Sequence, residues 1–139
     1  MKRHPQWQRK LAGRITSARQ LEFAWGTFDC AMWVCDWIRD VTGIDPGANY
    51  RGKYSTEAEA QAIFGADLGA FAATVATSIG ATEVPPRYAR RGDIVHVDNG
   101  TTYGALGVVN LDARFAMCVS QNGVVPAHMN HWKRAWQIG

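Results

Sequence analysis

Cys30 is the residue whose position most clearly suggests chemistry. It follows an aromatic and glycine-rich segment, residues 23–29, and begins an apolar stretch with helical character. A cysteine in the first turn of a helix lies beside free N–H groups and the positive end of the helix dipole, which favour the thiolate. The sequence therefore predicts a nucleophilic Cys30 with a lowered pKa. The alternative is that Cys30 packs as a small apolar side chain.

A nucleophilic thiolate would need an imidazole to sustain the ion pair and to protonate a leaving amine. His96 lies on a predicted strand, and His128 follows Pro126 in the last third of the chain. Either could serve as the base, although a packed His96 and a surface His128 are the alternatives. A metal site made of Cys118, His128 and His131 is disfavoured, because an extended His-x-x-His pair points its rings to opposite faces. We therefore expect no metal and no cofactor.

The elements that would position these residues divide the chain into a helical part and a strand part. Apolar periodicity predicts four helices, at about residues 5–21, 29–41, 56–65 and 67–79. Short β-branched and aromatic runs then predict strands at residues 94–97, 103–110, 115–120, 124–128 and 132–138, joined by tight turns. Helices followed by an antiparallel sheet predict an α+β domain.

Local residues mark where the helices begin and end. Thr27 or Asp29 can cap the helix that contains Cys30, and Gly43 follows its last apolar residue. The next helix begins with Thr56 and Glu59 at the spacing of a capping box.

Composition and charge limit the class of protein. With 139 residues, 47% hydrophobic and 19% charged, the chain is long and apolar enough for one folded domain spanning residues 1–139. The formal net charge is +3, and the segment of about residues 1–20 is basic. Six bases precede the first acid, Glu22: Lys2, Arg3, Arg9, Lys10, Arg14 and Arg19.

This basic helix or arm could contact an acidic protein, an anionic lipid or a nucleic acid. Because no interleaving of basic and aromatic residues continues beyond it, we expect no nucleic-acid binding. No apolar run is long enough to span a membrane, and no apolar stretch typical of a secretory signal follows the first charges. Cys30 and Cys35 would lie too far apart on one helix for a disulfide, so we expect reduced thiols.

Two motifs resemble the NlpC-type papain-like cysteine peptidases. Asp29-Cys30 opens an apolar helix, and the sheet begins with Arg91-Gly92-Asp93 followed by aliphatic residues. The resemblance covers about residues 23–138 and implies a papain-like fold with Cys30 as the nucleophile. Where the family commonly has His-Val-Gly-Ile, this chain has alanine first, at Ala105. The polar residue that orients the family's histidine would fall near Met117 or Cys118, and neither is the usual choice.

The resemblance extends to small phage tail proteins with a Phe-x-Trp-Gly lead-in and a Gly-Asp strand, and it leaves two functions open. In the first, the domain has lost its complete site and is a structural component of a phage tail tip or tail-assembly complex. Its partners would be other tail-tip or baseplate proteins, met first in the host cytoplasm and then in the virion tail. In the second, a cysteine amidase or endopeptidase cleaves peptidoglycan, with Cys30 as nucleophile and His96 or His128 as a relocated base. Ala105 favours the first.

Three tryptophans are candidates for a partner interface. Tryptophan is over-represented among residues that dominate binding energy, and Trp7, Trp132 and Trp136 lie near the two ends of the chain. For each of them, packing in the core is the alternative.

Overall fold

A computed structural model describes all residues, 1–139. It contains four helices, α1 (Trp7–Ala18), α2 (Cys30–Thr42), α3 (Glu57–Phe64) and α4 (Leu68–Ser78). Six strands follow, β1 (Thr82–Val84), β2 (Ile94–Val97), β3 (Ala105–Val109), β4 (Phe115–Ser120), β5 (Gly123–His128) and β6 (Trp132–Gln137). The prediction of an α+β class, with helices first and an antiparallel sheet second, is confirmed.

Helix α2 is the central element of the helical layer. Asp29 caps its N-terminus by accepting a hydrogen bond from the Met32 N–H at 2.8 Å, and Gly43 ends it in a left-handed conformation. Eight of its thirteen residues are buried, so the helix is held mainly by packing on nearly all of its sides. Near its C-terminal half, the Trp37 indole donates to the Gly92 carbonyl at 2.9 Å. This bond ties α2 to the start of the sheet.

The basic segment at the N-terminus is a docked helix. Leu11, Ile15 and Ala18 of α1 are buried against the core, at the spacing of one helix face. Arg14 pairs with Asp40 of α2 and lies over the Trp33 ring, with 5.7 Å between its guanidinium carbon and the ring centroid. Of the two forms predicted for this segment, the structure therefore contains the helix.

The six strands form one antiparallel sheet in the order β1-β6-β2-β3-β4-β5. The sequence did not indicate β1, which is only three residues long and pairs with β6 at the edge of the sheet. The loop between β2 and β3 spans residues 98–104 and is longer than the predicted tight turn. No helix is long and apolar enough to cross a membrane.

The two faces of the sheet bury different apolar clusters. The helices cover one face, where Leu106, Val108 and Trp136 join the main core. On the opposite face, a smaller cluster contains Val95, Val109 and Trp132. The Trp132 indole donates to the Ala127 carbonyl of β5 at 3.0 Å, although three strands separate β5 from β6 in the sheet. The sheet is therefore strongly curled, and the curl encloses the second cluster.

A shift in register explains why Trp132 and Trp136 lie on opposite faces. His96 pairs with Arg134, whereas the next residue of β2, Val97, pairs with Trp132, so β6 has one extra residue at this point. Such a bulge reverses the alternation of side chains along a strand. Both tryptophans are buried, with 7% and 2% of their surfaces exposed. The prediction that Trp132 and Trp136 present a partner interface is therefore wrong, because both rings fill apolar clusters.

Candidate functional site

A cleft of about 260 Å³ lies between the N-terminus of α2 and the loops at one end of the sheet. Cys30 and Ala105 both line it. Five aromatic rings line the cleft, those of Phe23, Trp25, Tyr54, Phe64 and Tyr103. Its polar side chains are Asp29, Glu57, Gln61, Asn99, Thr101, Ser120 and Gln121. No basic side chain and no histidine line this cleft.

The segment before Cys30 is fixed by one buried carboxylate. Asp29 is 2% exposed and caps α2 with one oxygen, while its other oxygen accepts from the Gly26 N–H at 2.8 Å and from the Tyr54 hydroxyl at 2.5 Å. Burial, followed by this hydrogen bond to Asp29, raises the pKa of Tyr54. Tyr54 therefore stays a neutral donor, which suits a buried carboxylate that needs donors for both oxygens.

Gly26 is required by the close approach of two segments. Its φ is +85°, and a Cβ at this residue would lie 2.1 Å from the Tyr54 carbonyl oxygen. Its own carbonyl accepts from the Gly52 N–H at 2.8 Å. The aromatic and glycine-rich lead-in therefore serves to bring residues 50–54 against the start of α2.

Cys30 is the first residue of α2, as predicted, but the prediction of a lowered pKa is wrong. Burial raises the pKa of the Cys30 thiol to about 12. Hydrogen bonds from the backbone N–H groups of Leu106 and of the first turn of α2 lower this pKa, but burial outweighs them. The negative charge of Asp29 raises the pKa further. The residue is half-buried at the floor of the cleft. In this environment the sulfur is a thiol at neutral pH, and the helix N-terminus alone does not offset desolvation.

His96 lies outside the cleft and is 1% exposed. Its Nε2 is 3.0 Å from the Tyr103 carbonyl oxygen, which can only accept, so Nε2 carries the proton. The Asp67 carboxylate lies 3.6 Å from the same nitrogen, while Nδ1 is buried without a partner. Gly104, at φ +70°, leaves the room that the ring occupies, because a Cβ there would lie 2.3 Å from Nε2. His96 thus anchors the loop that carries Tyr103, and it makes no hydrogen bond to Cys30.

The histidines of the last third lie at a different place. His128 is half-buried at the end of β5, where its Nδ1 accepts from the Asn130 N–H at 3.2 Å and its ring packs edge-on against Phe115. His131 is exposed and lines, with His128, a second depression that borders the cleft, because Asn99, Ala105, Val119 and Ser120 line both. The structure brings neither of them to Cys30. No three histidine, cysteine, aspartate or glutamate side chains come together as a metal-binding group.

The positions expected for the other members of a catalytic set carry no suitable groups. Ala105 is at the start of β3, half-buried beside the cleft. Met117 packs in the main core, and Cys118 is buried in the cluster on the opposite face. Burial raises the pKa of Cys118 as well. All three cysteines are free in the structure.

Two residues of the cleft were not predicted from the sequence. Tyr103 comes close enough to Cys30 and Asp29 for their charges to raise its pKa further, after burial as the main cause. Glu57 is an exposed carboxylate at the cleft without an ion-pair partner. Neither belongs to a local motif, because α3 and the loop between β2 and β3 meet only in the folded chain.

Fold and cleft together describe an α+β domain with a cysteine at a helix N-terminus, in a cleft without an imidazole. The chain belongs to the family described as Domain of unknown function (DUF6950), whose family model matches residues 2–138. No curated protein matches the chain closely enough to count as a relative.

Proposed function

We propose that this protein is a non-catalytic domain of the papain-like, NlpC-type fold and that it is a structural component of a phage tail tip or tail-assembly complex. The observation that carries the proposal is the cleft, which contains Cys30 but no histidine. A thiol with a pKa of about 12 is almost entirely protonated at pH 7, and no imidazole lines the cleft to remove its proton. The order of helix, cysteine and antiparallel sheet supports the NlpC-type resemblance.

The tail assignment is supported by the resemblance of the lead-in and of the Gly-Asp strand to small phage tail proteins. In the structure both motifs have scaffold roles. The lead-in, residues 23–29, brings residues 50–54 against α2 through Gly26. Asp93, directly before β2, forms an ion pair with Arg3. A chain that keeps these scaffold contacts without a base is suited to binding rather than to cleavage.

The competing function is a peptidoglycan amidase or endopeptidase that uses Cys30 with His96 or His128. Cys30 at the floor of an open cleft favours this alternative. This alternative would require the imidazole of His96 or of His128 to reach the Cys30 sulfur. His96 is enclosed between α4 and the loop after β2, and His128 packs on Phe115 and does not line the cleft.

Two measurements test the proposal. The first is iodoacetamide alkylation of Cys30 between pH 6 and pH 10, followed by mass spectrometry of the peptide that contains it. We expect slow alkylation at pH 7 and a rate that keeps rising to the highest pH, with Cys30→Ser as the unreactive control. A plateau near neutral pH would show a thiolate and would contradict the non-catalytic assignment. Release of soluble muropeptides from purified peptidoglycan by the protein but not by Cys30→Ser would contradict it as well.

The second measurement addresses the tail. Mass spectrometry of purified virions from the phage or prophage that encodes the chain should detect it at a fixed ratio to known tail proteins. Its absence from both virions and tail-assembly intermediates would contradict the tail assignment while leaving the inactive cleft unaffected.

A further inference from the structure

Residues 87–91, named here the arginine segment, form an exposed basic surface of the protein. Arg87, Tyr88, Arg90 and Arg91 are all exposed, and only Ala89 between them is partly covered. The segment connects β1 to β2 and begins in a single 3₁₀ turn, Pro86–Tyr88. The Arg87 guanidinium carbon lies 4.7 Å from the centroid of the Tyr88 ring, which is 57% exposed. The segment thus presents stacked arginine and tyrosine to solvent.

Nearby carboxylates do not neutralise these arginines. The Glu83 carboxylate, four residues before Arg87, accepts two hydrogen bonds from Arg134, from Nε at 2.8 Å and from Nη2 at 2.7 Å. Asp93, two residues later, is buried and bound by Arg3 at 2.8 Å. Arg90 only approaches it, at 3.8 Å, and Arg87 and Arg91 form no ion pair. The charge of the segment is therefore available to another molecule.

The segment also borders a recess. Arg90 and Arg91 line an open depression of about 450 Å³ together with Arg3 and the half-buried ring of Trp7. The recess lies at the opposite end of β2 from the Cys30 cleft, because the arginine segment precedes Ile94 whereas the cleft loop follows Val97. A molecule bound here would leave the cleft open.

We infer that the arginine segment is a docking surface for an acidic segment of a partner protein. Arginine and tyrosine are among the residue types enriched at binding hot spots of protein interfaces, and here both are exposed and stacked. Charge complementarity identifies acidic side chains as the partner chemistry. A nucleic acid fits less well, because its affinity comes from neutralising many phosphates with Lys and Arg, and this segment offers three guanidinium groups. The inference goes beyond the proposed function and does not depend on the cleft.

Binding of a fluorescein-labelled peptide of ten glutamates, followed by fluorescence anisotropy at low salt, tests the inference. The patch variant is Arg87→Glu with Arg91→Glu, and the matched control is Arg19→Glu with Lys53→Glu. All four side chains are exposed and free of ion pairs. Both double variants change the formal net charge from +3 to −1, so a general charge effect would weaken both equally. Thermal unfolding should show both variants folded.

We expect the patch variant to bind the peptide about tenfold more weakly and the control to lose less than about twofold. Equal losses in the two variants, or no binding of the peptide by the wild-type protein at low salt, would overturn the inference. Tighter binding of a ten-nucleotide thymidine oligonucleotide than of the peptide would assign the surface to nucleic acid and overturn it as well. A sedimentation experiment that shows two copies of this chain joined through the segment would also overturn the inference.

Discussion

The guanidinium of Arg3 and the carboxylate of Asp93 lie 2.8 Å apart, and the carboxylate is fully buried. The same arginine donates to the carbonyl oxygens of Ile138 at 2.5 Å and Arg91 at 2.6 Å, and it stacks on Trp7. The second carboxylate oxygen accepts from the Arg90 N–H, and the first also accepts from the Ile138 N–H. One ion pair therefore joins the N-terminus, the start of β2 and the end of β6.

Replacing Asp93 by asparagine should lower the free energy of unfolding by about 3 kcal/mol, because it leaves the Arg3 charge half-buried and unpaired. The control is Glu83→Gln, which removes an exposed ion pair to Arg134 and should cost less than about 1 kcal/mol. Urea denaturation of both variants measures the difference. Equal effects would mean that burial adds nothing to the Arg3–Asp93 pair.

Replacing Gly26 by alanine should destabilise the protein by about 2–4 kcal/mol, the range for strained and overpacked sites. The new Cβ would lie 2.1 Å from the Tyr54 carbonyl oxygen, and φ of +85° is unfavourable for alanine. Gly13→Ala is the matched control, since residue 13 lies within α1 with nothing inside 4 Å of its new Cβ. It should stabilise the protein by up to about 1 kcal/mol. Thermal unfolding of the two variants should therefore shift in opposite directions.

Replacing Tyr54 by phenylalanine removes the hydroxyl that donates to the buried Asp29 carboxylate. We expect a loss of about 1–3 kcal/mol, because a buried oxygen loses one of its donors. Tyr88→Phe is the control, since Tyr88 is 57% exposed and its hydroxyl makes no hydrogen bond within the protein. A loss for Tyr54→Phe no larger than that of the control would show that water or another donor replaces the hydroxyl.

Asp45 should make a pH-dependent contribution to stability. Its hydrogen bond with Arg51, at 2.8 Å, holds the pKa of the carboxyl below its ordinary value. The folded-state pKa is thus lower than the unfolded one, so the stabilisation is present above about pH 4 and is lost as the pH falls through the folded-state value. Asp45→Asn should cost about 0.5–1 kcal/mol at pH 7, since the pair is partly exposed.

The difference between wild type and Asp45→Asn, measured by urea denaturation at each pH, should shrink as the pH is lowered from 7 towards 2. Glu22→Gln is the control, because Glu22 is exposed and makes no ion pair or hydrogen bond. A difference that stays constant with pH would show that the charge of the Asp45 carboxylate contributes nothing to stability.

Local signals were sufficient for the four helices and for five of the six strands. Asp29 and Gly43 bound α2 because capping depends on neighbouring residues alone, and the Thr56 side chain accepts from the Glu59 N–H as the capping-box spacing predicts. Strands β2 and β4 have the predicted limits, since their apolar runs are interrupted by turn residues. The short β1 was missed because three residues carry too little periodicity, and its pairing partner lies at the other end of the chain.

The chemistry of the site depended on tertiary contacts. By itself the sequence placed Cys30 at a helix N-terminus, put alanine at residue 105 and identified a basic N-terminal helix or arm, because each of these follows from adjacent residues. Only the folded structure decided that burial raises the pKa of Cys30, since desolvation comes from strands and loops far along the chain. It also decided that His96 is enclosed away from the cleft, and that a one-residue bulge in β6 buries Trp132 and Trp136 on opposite faces. Solvation and register are properties of the assembled layers, and no single segment contains them.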